Sequence, residues 1–184
     1  MTLGSMLETS GVTPDDVVTH VSSLSPSLRH TECLALTRNQ QRRLWLLVSA
    51  DAGEQVGELV PGTAAVFAGR NSLQLFSRFE KWFARQDGAI VGCNLHGLSS
   101  LIGPGYFTVR VDGSQRLEFD YGSLPSQAPA GWPEIRGNSG LLARPVYGDL
   151  LDRVLWISPD VLVGAAFRRG APLDSYFVIV RAAR

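Results

Sequence analysis

The chain has 184 residues, with 17 Lys plus Arg against 17 Asp plus Glu, so its formal net charge is +0. Hydrophobic residues make up 45% and charged residues 18%, an ordinary globular balance that excludes a disordered chain. Zero net charge also excludes a chain-wide positive field for collecting nucleic acid or an anionic membrane.

This length suits one domain able to bury about two thirds of its unfolded surface. Residues 1–12 read as a flexible tail and 13–184 as a single domain. Thr13-Pro14-Asp15-Asp16 is a helix start: Thr13 caps, Pro14 suits the first helical position, and the aspartates meet the positive end of the dipole. Val17, Val21 and Leu24 share one stripe, and Ser25-Pro26 closes that helix. A second helix is expected over 39–50, stopped by Asp51-Ala52-Gly53, with its apolar second half buried on more than one side. Residues 54–70 are ambiguous, with Ala64–Phe67 a candidate short strand.

The spacing from Asn71 predicts a third, amphipathic helix ended by Gln86-Asp87-Gly88. Leu73, Leu75, Phe76, Phe79, Trp82 and Phe83 fall on one arc, with Gln74, Ser77, Arg78, Lys81 and Arg85 opposite. Lys81 is the only lysine of the chain. From Ala89 the period becomes two. Strands are expected over 89–96, 106–111, 116–121, 141–147, 152–157, 161–167 and 175–181, with a hairpin across Asp112-Gly113. Residues 122–139 form a Pro- and Gly-rich loop, of a length that usually covers something or carries function.

Helices followed by about seven short antiparallel strands make an α+β domain, with N-terminal helices packed on a curled antiparallel sheet. The stretch Val146–Leu150, then Val161–Gly164, ending in Tyr176–Val180, resembles the last hairpins of lipocalin-like (calycin) barrels in strand spacing and glycine placement. The resemblance covers about the last forty residues. It implies a barrel with an apolar interior, and the Gly-x-Trp motif of true lipocalins is absent near the N-terminus. An NTF2-like or SnoaL-like cone is the alternative closure.

No phosphate loop, dinucleotide fingerprint or nucleophile elbow is present. Cys33 and Cys93 read as buried free thiols. Cys93 and His96, three apart in a strand, point to opposite faces, so no metal site is expected. No cofactor is expected either. No run approaches the roughly 20 apolar residues of a membrane span, and nothing resembles a signal peptide. A cytoplasmic protein without nucleic-acid partners is therefore expected, with homodimer formation left open.

The candidate catalytic residues are His96, Glu134, Tyr106 and Tyr121. His96 and Glu134 have titrating side chains, and the tyrosines carry phenols able to orient a ligand oxygen. The candidate ligand-binding residues are Asn94, Phe79, Phe83, Phe107, Trp132 and Tyr147. Asn94 shares a strand face with His96, and Trp132 sits between prolines where it must bury against something. The competing expectations are a strand-end histidine facing water, and a tryptophan that staples the loop to the barrel with Glu134 solvated. The functional expectation is a pocket for a small hydrophobic, polyketide- or fatty-acyl-like molecule, extending to a cofactor-independent cyclase or isomerase of secondary metabolism. A non-catalytic lipid-binding or protein-interaction module is the alternative.

Overall fold

In the computed structural model, residues 1–50, 58–73, 77–112 and 116–182 are described. Helices α1 (Leu3–Glu8), α2 (Pro14–Ser23), α3 (Pro26–Ala35) and α4 (Arg38–Ala50) come first. Then follow β1 (Ala64–Asn71), β2 (Arg78–Gln86), β3 (Ala89–His96), α5 (Ser99–Ile102), β4 (Gly105–Val111) and β5 (Leu117–Asp120). The chain ends with α6 (Arg144–Tyr147), β6 (Leu150–Ser158), β7 (Val161–Arg168) and β8 (Ala171–Arg181). Each strand pairs antiparallel with the next, and β8 pairs back to β1, so the sheet closes as an eight-stranded barrel. The open cone is thereby excluded, and the α+β reading holds.

Thr13 caps α2 as expected, with Oγ1 accepting from Asp16 N at 3.2 Å. Pro26 opens a helix instead of ending one: it occupies the first turn of α3, where its missing N–H costs nothing, behind a Ser25 cap. Where a loose tail was expected, α1 buries Leu3 and Leu7 completely. Its amide N–H at Leu3 donates to Glu32 Oε2 at 2.7 Å, and that carboxylate also meets His20 Nε2 at 2.8 Å.

The largest departure from the sequence reading is β2. Residues 78–86 are a strand, not the second half of an amphipathic helix. The same residues satisfy a period of two: Phe79, Lys81 and Phe83 are buried, while Arg78 and Glu80 are exposed. Aromatics favour the pleated surface, and the stop signal was a hairpin turn. Asp87 and Gly88 have φ of 51° and 79°, the left-handed pair that a two-residue hairpin requires. Phe76, Gln74 and Leu75, the Asp51-Ala52-Gly53 stop and Gly113 of the second hairpin lie outside the described residues. The expected strand over 141–147 is instead a turn and the single-turn α6.

The barrel separates two apolar cores. The outer faces of β6–β8 bury Leu155, Val163, Tyr176 and Val178 against Leu7, Val21, Cys33 and Leu44 of the helices. The bore is the second core, lined by Phe67, Phe79, Phe83, Phe107, Phe119 and Phe177 with aliphatic neighbours. Cys33 and Cys93 are both buried and free. Among the described residues, no helix is long and apolar enough to cross a membrane.

Candidate functional site

Strand register decides which side chains enter the bore. Residues directly opposite in an antiparallel pair share a face. Phe79 faces His96, Lys81 faces Asn94, and Phe83 faces Gly92. Gly92 faces Phe107, and Phe119 faces both Val109 and Asp152. Inside the barrel, large rings lie over residues without side chains. A Cβ added to Gly69, Gly92, Gly105 or Gly164 would come within 2.3, 2.4, 2.3 or 2.1 Å of the ring of Phe79, Phe107, Tyr147 or Phe177 respectively. This large-against-small matching packs the bore with side chains. A cleft of about 1410 Å³ lies outside the bore, between α3 and the start of β1.

At the centre of these rings stands Lys81, 2% exposed. Its Nζ donates to Tyr121 Oη, and to Asp152 Oδ2 at 3.1 Å. The Tyr121 hydroxyl lies 3.3 Å from the same carboxylate oxygen. Five aromatic faces surround the ammonium, from Phe107 at 4.9 Å to Phe79 at 5.5 Å. Burial pulls Lys81 below the usual lysine range, against the attraction of Asp152. Burial likewise raises Asp152, and it raises Tyr121 well above an ordinary phenol. Sequence reading set Lys81 on the polar arc of a helix. The register corrects this: it turns Lys81 inward to meet Asp152, 71 residues away in the chain.

Above this trio, α6 delivers Tyr147 into one mouth of the barrel. Its ring stacks on Tyr121 at 5.4 Å and 8°. Its hydroxyl lies 2.8 Å from His96 Nε2, with Asn94 and the backbone of Gly105 beside it. His96 Nδ1 accepts from Leu98 N–H at 3.2 Å, which fixes the neutral tautomer with the proton on Nε2. Burial lowers His96 and pushes Tyr147 up to about 12. Asn94 Oδ1 is buried beside this phenol with no hydrogen-bond partner among the described residues.

The structure therefore brings together seven of the ten residues singled out from sequence: Phe79, Phe83, Asn94, His96, Phe107, Tyr121 and Tyr147. The other three lie outside the barrel wall. Tyr106 faces Cys93 on the outer surface, and its hydroxyl donates to Pro133 O. Trp132 packs against Trp82 at 5.8 Å and Tyr106 at 6.3 Å, holding the long loop over β2–β4, while Glu134 is exposed. Buried Asn138 fastens the same loop, its amide donating to Tyr106 O at 2.7 Å and Tyr121 O at 2.8 Å.

The opposite mouth is closed by Leu59 and Val60. Arg181 donates to Glu58 O at 2.7 Å and Leu59 O at 3.3 Å, and Arg85 to Val60 O at 3.1 Å. Among the described residues, no group of three or more His, Cys, Asp or Glu gathers to hold a metal.

No protein-family model matches the chain, and neither the curated proteins nor the solved structures searched contain a significant match. Its likeness to lipocalins is one of barrel shape.

Proposed function

We propose that the chain binds a small hydrophobic molecule, polyketide- or fatty-acyl-like, in the upper bore, at the place filled here by the Tyr147 ring. The observation that carries this reading is the buried Lys81–Asp152–Tyr121 trio beneath that ring. A buried ion pair is often no better for stability than apolar residues of the same volume, so stability alone is a weak reason for it. Buried groups with displaced proton affinities concentrate at functional sites.

The geometry around Tyr147 describes the guest. A flat ring on Tyr121, with an oxygen between His96, Asn94 and the Gly105 backbone, is the chemistry of a hydroxylated arene or enol. When α6 swings away, such a molecule takes over these partners and meets the Lys81 amine below. Catalysis as a cofactor-free cyclase or isomerase is supported by a further feature. Two proton donors, Lys81 and Tyr121, share the Asp152 carboxylate in a site closed to water, where positioned dipoles act most strongly.

Trp156, 7% exposed inside the bore, reports occupancy by its fluorescence. Titration of wild type and Tyr147→Ala with fatty acids, flat phenols and aromatic polyketides is the test. Tyr147→Ala binds more tightly, because the internal competitor is gone. Lys81→Met then weakens ligands bearing a carbonyl or carboxylate. If neither wild type nor Tyr147→Ala binds any member of the panel, the reading is wrong.

A further inference from the structure

In an up-and-down barrel, alternate connections lie at alternate ends. The links β1–β2, β3–β4, β5–β6 and β7–β8 therefore all surround the Tyr147 mouth. Every one of the four presents an exposed leucine. Leu73 is in the first, Leu98 and Leu101 in the second, Leu141 and Leu142 in the third, and Leu173 just past the fourth turn. Their exposures run from 40% at Leu173 to 93% at Leu141. At the other end, among the described residues, Val111 is exposed, and Leu28, 53% exposed, lies on α3 beside the Arg29 that pairs with Asp160 of the β6–β7 turn.

Cations lie among these leucines. Arg70 and Arg78 face each other directly across β1 and β2, an unfavourable like-charge pairing. Neither makes an ion pair among the described residues, nor do Arg136 and Arg144. Three of the nearby carboxylates have partners of their own, and exposed Glu134 of the β5–β6 link is a fourth. Asp149 holds Arg169 at 2.9 Å, Asp174 holds Arg38 at 2.7 Å, and Glu80 accepts from Trp82 at 2.7 Å.

We infer that the Tyr147 end of the barrel docks on an anionic lipid surface, with leucines at the loop tips entering the headgroup–acyl boundary and arginines meeting lipid phosphates. Separate apolar tips with basic residues between them suit a soft interface that each tip enters on its own. A second copy of the chain fits poorly, because a two-fold contact would set this arginine-bearing end against itself. The zero net charge of the whole chain conceals this local arrangement. Docking stands independently of the ligand reading, since vesicles without any ligand test it.

The experiment is sedimentation of the full chain with vesicles of phosphatidylcholine, alone or mixed equally with phosphatidylglycerol. The chain is expected to follow the mixed vesicles and to be released by salt. Leu101→Asp and Leu141→Asp each lower the affinity about tenfold. Arg78→Gln weakens binding to anionic vesicles alone, and Val111→Asp at the far end leaves it unchanged. All four positions are exposed, so thermal melts should match wild type. Absence of wild-type sedimentation overturns the inference, as does equal binding by all the variants. A concentration-dependent dimer that Leu141→Asp dissolves, without vesicle binding, assigns this end to self-association instead and also overturns it.

Discussion

At one end of the barrel, Leu59 and Val60 enter the bore on a segment whose carbonyl oxygens are held by Arg181 and Arg85. At the other, one phenol on a single-turn helix fills the mouth, and its hydroxyl meets the side chain of His96. Both ends exclude water, by different means. Charged donors bonded to backbone make the first closure part of the fold. The second depends on one side chain whose contacts a guest of similar shape could reproduce. On the proposed reading, the first mouth stays shut and the second is the one that admits a guest.

Asp152→Ala, just beneath the phenol, is expected to have the largest effect. It leaves Lys81 buried without its counter-ion and lowers stability by about 3–5 kcal/mol. Lys81→Met combined with Asp152→Leu recovers wild-type stability or exceeds it. Urea melts of the three chains check this. A harmless single change, or a double variant as damaged as the single, would show that the trio is not an ionic site set into an apolar bore.

Arg181→Ala tests the clamped end. It removes donors to three carbonyls and to Asp160, together with the cation over the Phe67 ring at 4.6 Å. A loss of about 2–3 kcal/mol is expected. Unchanged stability would erase the contrast between the ends.

The smallest effect concerns pH. Burial depresses His96 from its ordinary value of 6.5, so the unfolded chain takes up this proton before the folded chain does. The stability it contributes is complete above 6.5 and is lost as pH falls through the lower folded value. Hydrogen exchange of the α6 amides should quicken over that interval in wild type, and less in His96→Asn. His20 and His30 remain in both chains, so the difference isolates His96. Identical profiles would detach His96 from the closure.

Much of the strand region was legible. Alternation set Asn94 beside His96 and separated Cys93 from His96; register confirms each. Residues 71–86 misled because Phe79, Trp82 and Phe83 fit both a helical arc and a pleated face, and Asp87-Gly88 ends either element. Reading that dipeptide as a hairpin turn would have turned Phe79, Lys81 and Phe83 inward together. Leu141–Tyr147 misled in the other direction, because a short apolar run carries no period of its own. Trp132 was recognised as a residue in need of a partner, but its sequence neighbours could not say which side of the wall it would cover.

Short-range chemistry, legible along the chain, controls the caps of α2, the turn dipeptides, and the alternation that makes each strand two-faced. The tertiary structure alone decided that β8 would close on β1, that the bore would be filled by rings lying over glycines, and that the only lysine would meet an aspartate 71 residues away. The reason is that a local pattern fixes the direction of a side chain relative to its own strand. Its neighbours across the bore are set by the register of all eight strands at once, and no stretch of the chain carries that information alone.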